Sequence, residues 1–306
     1  MSRRLLPVPD GLDGERADAA VSRMTGLSRS KAAEICAEGG ARMAGAPLGK
    51  SDRVVGGAML EIDLPDPRPA EPVATPVEGM GILYEDEDIV VVDKPAGVAA
   101  HPSMGWDGPD VLGALKAMRV RVATSGAAER QGIVSRLDVG TSGAMIVAKG
   151  ERAYSVLKRA FRNHDVDKVY HALVQGHLDP SSGTIDAPIG RHPSREWRMA
   201  IIDGGRESIT HYDVIEVMPR ACLAEVHLET GRTHQIRVHM AAVGHPCVGD
   251  ETYGADAALS ARTGLVRQWL HAVELGIDHP ITGESMRFRS EYPEDLARAL
   301  DAMRAV

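Results

Sequence analysis

One stretch of the sequence, residues 132–143, places a single carboxylate among turn-forming residues between two apolar runs. Residues 133–134 precede the carboxylate and residues 144–148 follow it, and both runs predict short buried strands. The Gly-Thr-Ser-Gly sequence at 140–143 predicts the turn that joins these strands. Asp138 is therefore expected at a strand end, where its side chain faces a cleft.

The composition is that of a globular chain with room for two domains. It has 306 residues, of which 43% are hydrophobic, so it can bury a full core. No window approaches the length of an apolar membrane span, and the N-terminal region lacks the apolar core of a signal peptide, so a cytoplasmic protein is expected. Cys36, Cys222 and Cys247 are widely spaced and predict reduced thiols in or near the core. A monomer is the default expectation.

The charge is unevenly distributed along the chain. A net charge of -8 argues at first against nucleic acid, because lysine and arginine provide most of the affinity for phosphate. Residues 66–100 carry a net charge of -6, however, whereas residues 130–168 carry +4. This distribution permits a positive cleft around Asp138 on an acidic protein. The alternative is that these basic residues cover a solvated helix face.

The N-terminal part predicts a small unit of helices and strands. Apolar spacing indicates a helix over 16–24 and a second helix that begins near Ser28, and a Gly-Gly pair at 39–40 ends the second helix. A hairpin over 41–48 and a strand over 57–65 follow. This order of elements resembles an S4 RNA-binding domain.

The hairpin of this unit departs from the S4 pattern. Met43 and Ala44 stand where valine and asparagine are usual. The alternative is a small αβ interaction module without RNA contact.

A proline-rich, charged segment separates this unit from the rest of the chain. It predicts a semi-rigid linker, so we expect an S4-like RNA-binding domain over 1–65, a linker over 66–77 and a catalytic domain over 78–306. The pattern of the larger domain is that of an α+β fold with a largely antiparallel sheet. Its clearest elements are a buried strand over 89–93, a helix over 151–163 and a strand over 222–228.

The carboxylate motif resembles the Arg-Leu-Asp-x-x-Thr-Ser-Gly signature of the RluA/RluD family of pseudouridine synthases. Four further blocks match the family in the correct order; they are 92–102, 167–174, 228–240 and 269–272. The resemblance implies the pseudouridine synthase fold, an α+β fold with a long, bent, mostly antiparallel mixed sheet and flanking helices. One departure is Ser135, where many members have histidine.

The resemblance implies that Asp138 is the catalytic residue. Conversion of uridine to pseudouridine breaks the bond between the base nitrogen and the sugar, turns the base and joins carbon 5 to the sugar. No redox change is needed, so no cofactor is expected. An ionised carboxylate near the anomeric carbon can act as a nucleophile or remove a sugar proton to give a glycal, and the sequence leaves both routes open. The structural alternative is an aspartate that caps a turn.

The resemblance also implies four substrate-binding residues. Arg237 matches the basic residue that pairs with the aspartate, and such a pair favours the charged carboxylate. Tyr170 matches a tyrosine whose ring stacks on the flipped uracil and whose hydroxyl could assist proton loss at carbon 5. Arg136 matches a residue that contacts the RNA backbone or fills the space of the extruded nucleotide. Leu270 matches an apolar position beneath the target base. The alternatives are a helix-surface arginine, a core tyrosine and a packing leucine.

Three histidines offer a rival interpretation as metal ligands. His234 and His239 are five residues apart, which does not align them on one helix face, and no glutamate lies between them; His245 is the third of these histidines. No metal is therefore expected.

The leading hypothesis is an enzyme that isomerises specific uridines in structured RNA. An S4-like domain ahead of the catalytic unit resembles the branch that acts on large-subunit (23S) ribosomal RNA. The alternatives are a transfer RNA pseudouridine synthase and an RNA-binding ribosome-assembly factor without turnover.

Overall fold

Two compact units form the chain, and the main boundary between them lies near residue 70. The computed structural model describes residues 2–25, 27, 29–64, 72–102, 106–126, 128–195 and 198–305. Each unit combines helices with a largely antiparallel sheet, so the predicted α+β class is confirmed. Within the described segments, no helix combines the length and apolarity that a membrane span requires.

The N-terminal unit is a four-stranded antiparallel sheet with two helices. Its elements are β1 (Ser2–Pro7), α1 (Ala17–Thr25), α2 (Arg29–Ala37), β2 (Ala41–Met43), β3 (Ala46–Pro47) and β4 (Met59–Leu64). The strand order is β1-β4-β2-β3. The predicted helices, hairpin and closing strand are confirmed. β1 was not predicted, and it pairs with β4 over its whole length.

The second unit contains the remaining strands and helices. Its strands are β5 (Gly81–Glu85), β6 (Ile89–Lys94), β7 (Ser142–Ala148), β8 (Asp167–Gln175), β9 (Ser182–Asp186), β10 (Ile189–Arg191), β11 (Met199–Ile201), β12 (Ile209–Met218), β13 (Ala221–Leu228), β14 (Leu270–Asp278) and β15 (Ser285–Arg289). Its helices are α3 (Val111–Ala117), α4 (Glu151–Asn163), α5 (Gln235–Ala242), α6 (Ala257–Thr263) and α7 (Glu294–Arg304).

Nine of these strands form one mixed sheet. The order is β5-β6-β7-β14-β8-β13-β12-β9, and β15 pairs with β14. β7 and β14 run parallel, while the other described pairs of this sheet are antiparallel. β10 and β11 form a separate hairpin. The mostly antiparallel mixed sheet expected from the family resemblance is therefore present.

Helices cover both faces of the large sheet. At the β6–β7 side, Val91 and Ile146 pack with α4, whereas Val92 and Val147 pack with α3. At the β8–β13 side, one face packs with α5 and the other with α6 and α7. Burial on both faces explains why β6 is an almost continuous apolar run rather than an alternating one.

The strand predicted at residues 133–134 is wrong. Ile133 makes only an isolated bridge to Val147, and the chain then leaves the sheet towards Asp138. The physical reason is that β7 lies between β6 and the start of β14, so only its far end has a free edge for Ile133.

The predicted linker is only partly described. Residues 66–71 lie outside the described residues. Residues 72–77 run beside α3, where Lys116 donates to the Pro72 carbonyl at 3.0 Å and Gly113 accepts from the Thr75 amide at 3.0 Å. The domain limits at 65 and 78 remain a prediction.

Candidate active site

Asp138 lies in the loop that leads into β7, and backbone contacts fix this loop. The Thr141 amide donates to the Asp138 carbonyl at 3.0 Å, which closes a turn. The Gly97 amide, from the loop after β6, donates to the Val139 carbonyl at 2.8 Å. The Asp138 side chain is 23% exposed. A half-buried carboxylate is thus held just before the start of β7, at a strand end as the sequence predicted.

A close approach of two backbones explains Gly143, the second glycine after Asp138 in the motif. Gly143 has a φ of +119°, and a Cβ there would lie 2.2 Å from the Ala272 carbonyl oxygen. This contact is the parallel pairing of β7 with β14. Only glycine permits both the conformation and the contact. The spacing of the motif therefore places Asp138 just before the point where β7 begins to pair with β14.

Lys94 is a buried cation beneath the loop. It is fully buried, and its ammonium donates to the carbonyls of Val98 at 2.8 Å, Pro95 at 3.1 Å and Val139 at 3.4 Å. Burial lowers the pKa of Lys94 to about 7, although the charge of Asp138 opposes this shift. Lys94 therefore joins the loop after β6 to the Asp138 loop.

Arg237, on α5, reaches Asp138 but is held mainly by another carboxylate. Its Nε and Nη2 donate to Asp250 Oδ2 and Oδ1 at 2.6 and 2.9 Å, while its Nη1 lies 3.4 Å from Asp138 Oδ2. Burial alone lowers the pKa of Arg237, but hydrogen bonds and charge from Asp250, with the charge of Asp138, raise it above its usual value. The bidentate clamp fixes the guanidinium, which then presents one corner to Asp138.

Asp250 was missed by the sequence reasoning. Its side chain is only 1% exposed, and it lies thirteen residues after Arg237 in a loop. No periodicity connects a helix residue to a carboxylate in the following loop, so only the fold reveals the pair.

Tyr170 lies in the middle of β8, on the face that packs with α5. Its ring belongs to the cluster formed with Ile236, Met240 and Leu270. Burial, with a further contribution from the charge of Asp138, raises the pKa of Tyr170 well above its ordinary value. The phenol is therefore neutral at physiological pH and available for stacking or hydrogen bonding.

The other two predicted substrate-binding residues have contrasting environments. Leu270 is 3% exposed and pairs with Ala172 of β8, so it packs in the core next to Tyr170. Arg136 is exposed, two residues before Asp138, and its charge contributes to the lowered pKa of His101, after the larger effect of burial. Base contact by Leu270 and RNA contact by Arg136 remain predictions.

The basic residues counted between 130 and 168 are not all close to Asp138. Four of the eight lie on the exposed side of α4 or at its end; they are Arg152, Lys158, Arg159 and Arg162. The solvated-helix interpretation fits these four. Lys94 and Arg237, whose charges interact with that of Asp138, come from other parts of the chain.

The three histidines considered as metal ligands have separate hydrogen-bond partners. His239 contacts the Thr210 hydroxyl at 2.9 Å, and His245 contacts the Gln175 carbonyl at 2.7 Å. His234 is different, because it lies at the site: its Nε2 is 4.0 Å from Asp138 Oδ2.

Tyr253 organises the residues on this side of Asp138. Its hydroxyl lies 2.8 Å from His234 Nδ1 and accepts from the Met199 amide at 3.1 Å. The Arg237 and Arg198 guanidinium carbons lie 5.0 and 4.8 Å from the centre of its ring. Such cation–π contacts hold a planar guanidinium in place. Tyr253 has no local signal in the sequence, because its partners come from two other segments, 198–199 and 234–237.

Comparison with known proteins identifies the class to which this fold and site belong. A family model described as RNA pseudouridylate synthase matches residues 88–242. The chain is 59% identical over 305 residues to an "uncharacterized RNA pseudouridine synthase" of Mycobacterium bovis, with 99% of each covered. It is 38% identical over 314 residues to ribosomal large subunit pseudouridine synthase D of Pseudomonas aeruginosa, covering 99% of this chain and 97% of the relative. The structure of human RNA pseudouridylate synthase domain containing 1 matches with a TM-score of 0.59 and 27% identity, over 79% of this chain and 98% of that chain.

The chain therefore belongs to the RNA pseudouridylate synthase family. The predicted family, fold class and enzyme class are confirmed: it is an RNA pseudouridine synthase, which is an isomerase. RNA is accordingly its substrate.

Proposed function

We propose that the protein isomerises specific uridines of large-subunit ribosomal RNA to pseudouridine, with Asp138 as the catalytic residue and without a cofactor. The observation that supports this proposal is the half-buried Asp138, which interacts with Arg237, held in place by Asp250, and with the neutral Tyr170. Relatives named ribosomal large subunit pseudouridine synthase D, at 38–39% identity over nearly the whole chain, support the choice of RNA. A cytoplasmic monomer that binds this RNA is part of the same proposal.

The proposed chemistry needs one carboxylate close to the ribose. The bond from N1 to C1′ breaks, the uracil turns, C5 bonds to C1′, the C5 proton leaves and N1 takes up a proton. Asp138 either attacks C1′ or removes the C2′ proton. Arg237 Nη1 lies on the Oδ2 side of Asp138, so it orients the carboxylate and leaves Oδ1 for the sugar. Both routes remain compatible with this arrangement.

Tyr170 is proposed to stack on the uracil during its rotation. Because burial raises the pKa of its hydroxyl, Tyr170 acts as a neutral phenol and not as a preformed phenolate base. It can assist loss of the C5 proton only if its own proton is passed on in the same step. Leu270 supports the ring from the core, and Arg136 is proposed to contact the RNA backbone or to fill the space of the extruded nucleotide.

The N-terminal unit is proposed to be an S4-like RNA-binding domain. Its two adjacent helices and its antiparallel sheet support this assignment. Such a unit would add phosphate and shape contacts to a folded RNA.

The test is tritium release from RNA labelled at C5 of uridine. Ribosomal RNA and transfer RNA, both without pseudouridine, are compared as substrates for the wild type, Asp138→Asn and Asp301→Asn. The last is a matched control, because Asp301 is an exposed aspartate on α7. We expect release from ribosomal RNA, lost by about 1,000-fold or more in Asp138→Asn and retained in Asp301→Asn.

The other outcomes reject particular parts of the proposal. Wild-type release by Asp138→Asn would show that another residue is catalytic. Release from transfer RNA alone would show that transfer RNA, and not ribosomal RNA, is the substrate. Tight RNA binding without release from either RNA would favour an assembly factor.

A further inference from the structure

His234 has an unusual backbone conformation and lies beside Asp138, yet it has no role in the reaction described above. It precedes α5 with φ +57° and ψ 21°, a left-handed conformation that is uncommon outside glycine. Backbone strain of this kind persists where the surrounding structure enforces it, often at functional sites. Here it turns the imidazole back towards Asp138, with Nε2 4.0 Å from Oδ2.

The hydrogen bonds of Tyr253 determine which nitrogen of His234 carries the proton. The Tyr253 oxygen already accepts from the Met199 amide. Among the described residues, His234 Nδ1 is the acceptor within reach of the Tyr253 hydroxyl, at 2.8 Å. A buried hydroxyl requires an acceptor, so it donates to Nδ1. A neutral His234 therefore has its proton on Nε2.

The Nε2–H group then points into the space beside Asp138. Its distance from Oδ2 is too long for a direct hydrogen bond, so the donor is available to a substrate group. Burial lowers the pKa of His234, against the opposing charge of Asp138, so the neutral form predominates at physiological pH.

We propose that His234 Nε2–H donates a hydrogen bond to the 2′-hydroxyl of the target ribose. This inference rests on the proposed role of Asp138. A ribose whose C1′ or C2′ reaches Asp138 Oδ1 brings its 2′-oxygen, which is bonded to C2′, next to the carboxylate, and Nε2 lies 4.0 Å from the other oxygen of that carboxylate. The contact fixes the sugar relative to the carboxylate and distinguishes RNA from DNA at the reacting nucleotide. His234 is thus a specificity-determining residue.

The first experiment compares two substitutions that differ in one donor. His234→Asn tolerates the left-handed backbone and can still contact Tyr253, but it lacks a group at Nε2. His234→Gln extends an amide N–H to about that position. We expect kcat/KM in the tritium assay to fall about 10- to 100-fold in His234→Asn and to recover in part in His234→Gln. Wild-type kcat/KM in His234→Asn would overturn the proposal.

The second experiment is a double-mutant-type cycle, which combines a substitution in the protein with one in the RNA. A purely structural role of His234 would produce no coupling between the two. Binding is measured in the Asp138→Asn background, with and without His234→Asn, to ribosomal RNA transcripts containing either uridine or 2′-deoxyuridine throughout. Effects of the deoxy sugars elsewhere in the RNA are common to both proteins and cancel. We expect 2′-deoxy substitution to weaken binding several-fold more when His234 is present. Equal weakening in both proteins would refute the contact.

Tyr253→Phe provides an independent variant if His234→Asn does not fold. It keeps the ring that contacts the two guanidinium groups but removes the hydroxyl that orients His234. We expect a several-fold lower kcat/KM, and wild-type kcat/KM would contradict the tautomer assignment. A failure of the catalytic assignment of Asp138 would be recognised separately, because Asp138→Asn would then release tritium at the wild-type level.

Discussion

Two arginine–carboxylate clusters occupy opposite faces of the same sheet, and their environments differ. On the face that packs with α5, Arg237 and Asp250 have side chains only 8% and 1% exposed. On the other face, Arg287 and Arg289 contact Glu274, and their side chains are 59% and 80% exposed. The second cluster lines a groove of about 580 Å³. Of the two clusters, the buried one contacts Asp138.

The two clusters differ in whether water can solvate an arginine that has lost its carboxylate partner. An exposed arginine that loses its partner is solvated at once, so its geometry is weakly fixed. A buried guanidinium has no such alternative, and removal of its partner leaves an uncompensated charge. The buried cluster can therefore hold one corner of Arg237 at a set position beside Asp138.

Asp250→Asn gives the largest expected effect on this comparison. The substitution leaves Arg237 buried without its bidentate carboxylate, so the free energy of unfolding should fall by about 3 kcal/mol. Loss of the orientation of Arg237 should also lower tritium release by about 100-fold. Urea unfolding and the tritium assay measure the two effects. Retention of both stability and activity would show that Asp138 alone suffices to hold Arg237.

Lys94→Met tests a buried cation that has carbonyl partners in place of carboxylates. Burial lowers the pKa of Lys94 to about 7 in the folded protein, against about 10.4 in an unfolded chain. Between these values the unfolded chain binds a proton that the folded protein does not, so stability rises with pH. The contribution is at most about 1.4 kcal/mol per pH unit.

Urea unfolding from pH 7 to pH 9.5 measures this contribution as a difference between the two proteins. Lys94→Met should lack this increase, and the other titrating groups cancel in the comparison. Parallel pH profiles for wild type and variant would mean that Lys94 remains charged in the folded protein.

The elements that the sequence predicted are those with a local pattern. The helix over 151–163 has apolar residues at helical spacing and forms with those bounds. β1 has no comparable signal, because it is fixed by pairing with β4, which lies more than fifty residues later. Residues 133–134 are apolar like a strand, yet the neighbours of β7 leave room for a single bridge.

The site was predictable where a motif carried it. Asp138, Tyr170 and Arg237 came from the family resemblance, and the structure brings all three together. Tyr253 ends a short 3-10 helix, Glu251–Tyr253, and Asp250 directly precedes it. The position of this helix follows from tertiary packing, so spacing along the chain could not find either residue. His234 was noticed for its ability to bind metal, whereas its backbone conformation and its contact with Tyr253 became visible only in the fold.

Glu274→Gln gives the smallest expected effect and completes the comparison. The carboxylate of Glu274 contacts Arg287 and Arg289, the latter at 2.6 Å, but both arginines are largely solvated. Their loss of a partner should lower the free energy of unfolding by less than about 1 kcal/mol, and 1 M NaCl should reduce even this difference by screening. Tritium release should stay at the wild-type level. Since the substitution is the same exchange of carboxylate for amide as Asp250→Asn, an equal loss of stability in the two variants would mean that burial does not separate the two clusters.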